Sequence, residues 1–411
     1  DMTMNKINAD VELPNYSRET LKERIVHIGF GAFHRGHQAY VLDQLLKLEP
    51  SDWGICAITL MGSSAEMVEA FKQQDHLFSV VECFDDQKRA SIVGSVINVV
   101  QRHKEGSAAV IQKLSEPQVS IVSLTVTEKG YCANAKGELD VSNHTVQHDL
   151  KNLSEPLSVP GILYAALKHR YLNKLPALSC LSCDNIPENS LVLRNVLVGF
   201  TQLVDPEFVP YLLNEVKFPC SMVDRIVPAV TDDVLNSIEQ TIGERDVCGI
   251  ETEPFLQWVI EDNFVDSKPN WNKISGVTLV KNVVPYEEMK LRMLNGSHSF
   301  LAYLGSLAGY EYVSDCVQDD VFRNALVHLM LSEQARTLSV DDIDLNEYAE
   351  QLIERFGNHA LKHRVLQIAM DGSQKIPQRF LASLVWHLQQ HLSAPLITLG
   401  VAGWLYFIHK N

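Results

Sequence analysis

Ile25-Val26-His27-Ile28-Gly29-Phe30-Gly31-Ala32-Phe33 is the stretch whose reading decides the fold. It reads as a buried strand running into a glycine turn, and from Arg35 to Leu48 apolar residues then recur at helical spacing. A second apolar strand, Trp53 to Leu60, follows Pro50, Ser51 and Asp52. Strand, glycine turn, helix and strand together make a βαβ unit of the length expected for a nucleotide-binding fold. The chain is therefore expected to be α/β, opening with a Rossmann-type dinucleotide-binding domain.

Working outward, the alternation continues. Phe78 to Phe84 and Ala90 to Val100 look like strands, Ser107 to Leu114 like a helix, and Val119 to Thr127 like a β-rich run ending in polar residues. Leu178 to Cys183 repeats that pattern and ends in Asp184 and Asn185. Ligands of open α/β sheets bind outside the carboxyl ends of the strands, which makes Thr125, Thr127 and Glu128 candidate cofactor-binding residues. From Pro285 onward the periodicity turns helical, over 285–308, 320–338, 344–356, 360–370 and 377–392. A boundary near Val284 gives an NAD-binding Rossmann-type domain over 1–284 and a mainly helical substrate and catalytic domain over 285–411. The first is about twice the size of a typical domain, so elements beyond the Rossmann core are expected. No internal repeat is visible.

Bulk properties narrow the function. The length of 411 residues, with 46% hydrophobic and 21% charged, suits two globular domains. A formal net charge of −16 with scattered Lys and Arg argues against a nucleic-acid partner, whose phosphates need a basic face. The same charge repels an acidic substrate at long range, so a local group of Lys and Arg must capture one. The eight cysteines lie mostly alone in apolar runs, as in a reduced compartment, which points to a cytoplasmic protein. No apolar stretch reaches the roughly 18 to 20 residues of a spanning helix, and the polar segment 1–19 lacks a signal peptide's apolar core. A soluble protein without a membrane partner is expected.

Gly29-Phe30-Gly31 begins like the dinucleotide fingerprint: the first glycine makes the turn and the second lets backbone approach a pyrophosphate, although the third, Gly36, comes late. The helix that follows would offer N–H donors and a positive dipole to phosphate. Phe33, His34 and Arg35 at its start join the cofactor-side candidates, the plain alternative for the two charged residues being a solvated first turn. An NAD site usually places an acid after the second strand and an NADP site an Arg. Here that position reads Leu60-Met61-Gly62-Ser63-Ser64, with Glu66 the nearest acid. The absence of a basic phosphate clamp favours NAD and leaves NADP open. Cys180 and Cys183 have the spacing of a zinc half-site but no second pair, and no histidine pair belongs to an H-E-x-x-H motif, so no metal is expected.

The most informative segment is Pro285-Tyr286-Glu287-Glu288-Met289-Lys290-Leu291-Arg292-Met293-Leu294-Asn295-Gly296-Ser297-His298-Ser299-Phe300, helical in composition with polar residues among Met, Leu and Phe. At about 100° per residue, with Lys290 at zero, Glu287 falls near about 60°, His298 near about 80° and Asn295 near about 140°. The four share less than half the circumference, which adds Glu287 to the substrate-binding candidates. Gly296, near about 240°, faces away and permits close helix packing. Alcohol oxidation removes the hydroxyl proton as hydride leaves carbon, and ketone reduction does the reverse. Without a metal, Lys290 can move that proton if its pKa falls from about 10.4 toward about 7 or 8, a shift worth about 4 kcal/mol supplied by burial and neighbouring positive charge. Asn295 and Asn185 can donate to the developing alkoxide, and His298 can orient the substrate. Spacing alone leaves open a lysine snorkelling from a buried helix, with Asn295 and His298 satisfied internally.

Lys290, with Asn295 five residues later and His298 three after that, resembles the signature of the polyol-specific long-chain dehydrogenases, the mannitol dehydrogenase family. Residues 28–38, 123–131, 182–185, 222–226 and 253–258 match in order, so the resemblance spans essentially the whole chain. Within the family, residues 290–303 and 371–379 are most similar to fructuronate reductases, with mannitol 2-dehydrogenases next. Gln367 stands where the latter tend to carry a substrate-facing Arg. The resemblance implies NAD-dependent interconversion of D-fructuronate and D-mannonate, with Lys290 as general acid/base, Asn185 and Asn295 as alkoxide stabilisers and His298 as a substrate ligand. It also implies Asp224 and Lys375 lining the site and Glu128 as a proton relay. Lys375 and Arg364, around the Asp371-Gly372 turn, are the candidates for holding a substrate carboxylate. Family members are often monomeric and usually run on beyond the length of this chain. The alternatives are another polyol or uronate dehydrogenase, and a nucleotide-binding protein without turnover.

Overall fold

The structure, a computed structural model, describes residues 6–411, so the part of the N-terminal reading that falls on residues 1–5 lies outside the described residues. The chain divides into two compact units, one running to Cys83 and over Lys88–Val283, the other comprising Phe84–Gln87 and Val284–Asn411.

Among the described residues the first unit holds eleven strands: β1 Lys22–Ile28, β2 Trp53–Thr59, β3 Phe78–Phe84, β4 Gln87–Val93, β5 Val96–Gln101, β6 Ile121–Leu124, β7 Ser179–Ser182, β8 Ser221–Asp224, β9 Ile250–Thr252, β10 Gln257–Glu261 and β11 Val277–Val280. Five form a sheet in the order β5-β2-β1-β6-β7, every neighbouring pair parallel. This is the expected Rossmann-type arrangement. The order runs outward in both directions from β1, so the crevice falls at the carboxyl ends of β1 and β6. Successive side chains alternate between two cores. Val26, Ile28, Cys56 and Ile58 join one, while Ile25, Ile55 and Ala57 join the other. Burial on both faces explains why these strands read as continuous apolar runs. Two further three-stranded sheets, β11-β10-β8 and β4-β3-β9, are the elements beyond the Rossmann core that the size of the domain implied.

Local departures have local causes. The run Ala90 to Val100 breaks into β4 and β5 at Gly94 and Ser95, where the Gly94 N–H donates to Asp43 (3.1 Å) and the Ser95 hydroxyl to the Ala39 carbonyl (2.6 Å). Both acceptors belong to the Gln38–Leu48 helix, so the chain turns onto that helix instead of running straight. The helix expected from Arg35 is two helices, Ala32–Gly36 and Gln38–Leu48, separated by His37 at φ −126° and ψ −89°.

His34 and Arg35 correct the expectation of charge at the helix start. Arg35 is buried, donating to the carbonyls of Cys248 (3.0 Å) and Phe30 (2.8 Å). The His34 ring stacks on His27 with centroids 3.5 Å apart, and burial pushes its pKa down to about 3, so it is uncharged. Neither residue forms a solvated turn, because that turn packs into the unit's interior.

The second unit is helical, with Val284–Met289 leading into a π-helical turn, Lys290–Asn295, and then Gly296–Leu307. Two more π turns, Leu329–Gln334 and Pro377–Leu381, occur in the same unit. The last helix, Pro395–Lys410, begins where the buried Glu333 carboxylate accepts the N–H groups of Leu396 (3.1 Å) and Ile397 (2.9 Å), a negative charge at the positive end of a helix dipole. No helix among the described residues is long and apolar enough to cross a membrane.

The buried His34 sets a pH dependence. An unfolded histidine titrates near 6.5 and His34 in the fold near 3, so between those values the unfolded chain binds a proton that the native chain does not. Stability is therefore lost as pH falls through that window. Going from about pH 7.5 to about pH 5 should cost about 2 kcal/mol through this group. Urea midpoints of the wild type and His34→Gln at both pH values check this: the wild type should lose more by that amount, and equal losses would contradict it.

Candidate active site

The crevice of the first unit is built on three strand ends. The Gly29 N–H donates to the Ile58 carbonyl (2.7 Å), and the Thr125 N–H to the Ile28 carbonyl (3.0 Å), tying the ends of β2, β1 and β6 together. Gly29 has φ +113°, and a Cβ there would lie 2.3 Å from the Thr125 carbonyl oxygen, so only glycine lets β1 turn at this point. Above these ends lies a cleft of about 720 Å³ whose lining includes Gly29, Gly31, Thr125, Thr127, Arg102 and Lys129. That volume suits a cofactor. Asp184, following β7, accepts the N–H groups of Val126 and Thr127, each at 3.0 Å, and the Tyr131 hydroxyl. It thereby fixes the loop that carries the two threonines. Burial pushes its carboxyl above the usual range. A glycine cradle that a side chain would fill, in a cleft of this volume at the switch point of a parallel sheet, fits a dinucleotide.

The remaining candidates of this unit lie around the cleft. Phe33 is half-buried with its ring stacked on His37 (centroids 5.0 Å apart), and with His34 and Arg35 it lies outside the lining. Glu128 is exposed, also outside the lining. Asn185 is exposed beyond the end of β7, and Asp224 is buried at the end of β8, in register with Gln257. Arg102 is a residue that sequence reasoning missed. The pairing of Thr59 with Gln101 sets it beside Leu60, whose carbonyl accepts its Nε at 2.9 Å. A search of the residues after β2 alone does not find it, because the strand that delivers it begins some way further along the chain.

In the second unit the π turn alters the expected arc. Hydrogen bonding from residue i to i+5 adds a residue to the turn, which carries Asn295 toward the side of Lys290 compared with an α-helical winding. Lys290 is 9% exposed, and Glu287, Asn295 and His298 are half-buried. The Asn295 carbonyl accepts the Arg379 guanidinium at 3.3 Å, and the same guanidinium nitrogen reaches the Ser299 hydroxyl at 2.9 Å. Arg379 lies in the third π turn, and its own carbonyl accepts the amide of Gln334, the last residue of the second, at 3.0 Å. Side chains thus join the three turns through their backbones. Gly296 admits this approach, since a Cβ there would stand 3.1 Å from the Gln334 amide nitrogen and 3.4 Å from the Arg379 carbonyl.

The His298 ring meets Phe356 at 5.0 Å and His363 at 5.3 Å, centroid to centroid. Burial lowers the His363 pKa and Lys375 lowers it further, while burial and then Arg379 lower that of Lys375, with Asp371 opposing. Burial brings Arg379 down to about 10. Asn295, His298 and Lys375 therefore share one neighbourhood, joined by Arg379 and His363, which sequence reasoning missed, and the π turn that ends at Asn295 begins at Lys290. Arg364 does not belong there. It pairs with Glu311 (3.6 Å) beside a separate hollow lined by Ser306 and Tyr310. The backbone at Arg364 is extended, so its side chain points away from that of His363, which corrects the pairing of Arg364 with Lys375. Among the described residues no group of three or more His, Cys, Asp or Glu can hold a metal ion. Cys180 and Cys183 are buried, and burial pushes the Cys180 thiol up to about 12.

Residues 23–273 match a family model for the mannitol dehydrogenase Rossmann domain, and residues 282–411 match one for the mannitol dehydrogenase C-terminal domain. The chain is 51% identical over 399 residues to the uncharacterised oxidoreductase YeiQ of Escherichia coli strain K12, covering 97% of this chain and 81% of the relative. Against the D-mannonate oxidoreductase of the same organism it is 47% identical over 403 residues, covering 97% and 83%. The mannitol 2-dehydrogenase of Pseudomonas fluorescens, solved as a ternary complex with NAD and D-mannitol, matches with a TM-score of 0.85 and 36% identity, covering 98% of this chain and 82% of that one.

The two glycines of the turn should behave differently. Gly29→Ala, strained at a positive φ and pressed on Thr125, should cost at least about 2 kcal/mol. Gly31→Ala meets nothing within 4 Å and should leave stability unchanged. Urea unfolding of both variants measures this, and equal midpoints would contradict the account of the turn.

Proposed function

This chain belongs to the mannitol dehydrogenase family, and on that premise we propose that it interconverts D-fructuronate and D-mannonate with NAD(H) as hydride carrier. The observation that carries this reading is the 47% identity with a D-mannonate oxidoreductase over 97% of the chain. The cations of the second unit support it. A chain of net charge −16 needs a local captor for a carboxylate, and Lys375 with Arg379, four residues on, offers one. On this reading residues 1–284 form the dinucleotide-binding domain and residues 285–411 the substrate and catalytic domain.

The bound dinucleotide supplies or accepts the hydride at the substrate carbon. Lys290 moves the proton: its ammonium protonates the carbonyl oxygen during reduction, and its neutral amine takes the hydroxyl proton during oxidation. Burial of this side chain limits competition from bulk water for that proton. The Asn295 amide donates a hydrogen bond to the same oxygen as charge develops on it, and the π turn holds it ready to do so. Asn185 keeps the equivalent donor role that the family resemblance gives it. His298, flanked by Phe356 and His363, orients substrate hydroxyls together with Glu287, and Asp224 keeps the site-lining role that the family resemblance gives it. Glu128, which is exposed, keeps the proton-relay role that the family resemblance gives it.

NADH oxidation measured in parallel with fructuronate, tagaturonate and fructose tests the substrate. Fructuronate should exceed fructose in kcat/KM by on the order of a hundredfold, as expected when a charged group loses its partner. A preference for fructose would move the chain to the mannitol 2-dehydrogenases. Lys375→Met should raise KM for fructuronate about tenfold or more, with a smaller change in kcat. An unchanged KM would remove Lys375 from the carboxylate site.

A further inference from the structure

We propose that the adenosine end of the first unit's cleft accepts a ribose 2′-phosphate, with Arg102 as its cationic partner, so that this chain uses NADP(H) as well as NAD(H). The proposal rests on the dinucleotide reading of that cleft. In open α/β sheets, selectivity for NAD comes from a carboxylate near the end of the second strand, which bonds the ribose hydroxyl and repels a phosphate in its place. An arginine nearby accommodates that phosphate.

The cleft has the second kind of lining. After β2 the chain continues as Leu60-Met61-Gly62-Ser63-Ser64, and neither Asp nor Glu occurs among the described residues lining the cleft. Glu66, the nearest acid in sequence, is exposed in the first turn of the Ala65–Gln73 helix and outside the lining. Arg102 does line the cleft, as do Ser63 and Ser64. The parallel register of Thr59 with Gln101 brings it to the end of β2. Its Nε is anchored on the Leu60 carbonyl at 2.9 Å, which fixes the plane of the guanidinium and leaves both terminal amino groups to face oxygens. Glu105, the acid nearest to Arg102 in sequence, is engaged by the Gln101 N–H at 2.7 Å.

Hydroxyls complete the set. Ser64 stands at the N-cap of the Ala65–Gln73 helix but makes no side-chain capping bond, so its hydroxyl is not committed to the helix. An anchored guanidinium and two hydroxyls lining the same cleft, with no carboxylate among its described residues, make a donor set suited to a phosphate monoester dianion. Arg102 could instead lie against the adenine, which both dinucleotides carry. The two arms of the test separate those roles.

Isothermal titration of the full chain with 2′,5′-ADP and with 5′-AMP reads the 2′-phosphate directly, without turnover. The first should bind at least as tightly as the second, and NADPH should support kcat/KM within about tenfold of NADH. Arg102→Met should raise the ratio of the 2′,5′-ADP Kd to the 5′-AMP Kd by about tenfold or more. Ser63→Asp should move the same ratio in the same direction by repulsion, and it leaves the Arg102 anchor on Leu60 intact. The proposal is overturned if 5′-AMP binds while 2′,5′-ADP binds more than about a hundredfold more weakly, or if both variants leave the ratio unchanged. Binding of neither nucleotide would overturn the dinucleotide reading itself, and this proposal with it.

Discussion

The contact on which the first unit depends is the approach of Gly29 to Thr125. Two parallel strands end side by side, their neighbours run off in opposite directions, and the chain leaving β1 has to pass the carbonyl of Thr125 with no room for a Cβ. Everything useful about the crevice follows from that. The backbone of the turn stays low, the threonines line the opening, and Asp184 stands close enough to bind the loop beyond β6 through two N–H groups. The polar side chains near the turn serve the structure, because Arg35 and the uncharged His34 lie in the interior and make backbone and ring contacts there.

In the second unit the corresponding constraint is a backbone irregularity. A π turn interrupts the regular hydrogen-bond ladder, and its groups need partners from elsewhere. Arg379 supplies one to Asn295, Gln334 supplies one to Arg379, and Gly296 leaves space for both. Burying a guanidinium costs free energy, and its bonds to a carbonyl and a hydroxyl offset part of that cost. Lys290 and Asn295 come to lie closer to one face than an α-helix would allow, and both are held by a packed framework instead of a loop.

How much of this was legible depended on which physical signal each feature leaves in the sequence. Parallel strands buried on both faces leave apolar runs, so the fold class could be read from β1, β2 and β6. The signature of Lys290, Asn295 and His298 was legible as spacing and as family resemblance, but their geometry was not, because an inserted π residue leaves no trace in a period of 3.6. Arg102 depended on a strand register, and Arg364 on which way an extended segment alternates; neither is encoded locally. The break at Gly94 and Ser95 needed partners from the Gln38–Leu48 helix. The Pro395–Lys410 helix escaped notice because it is apolar on most sides, which hides the amphipathic period.

The central claim is that a buried lysine moves the proton while the nicotinamide moves the hydride. Amine rescue of Lys290→Ala tests it most directly. NADH oxidation by fructuronate should fall on the order of a thousandfold in the variant and recover in part when small primary amines are added, in proportion to their basicity. A variant that turns over at the wild-type rate and ignores added amine would contradict the account.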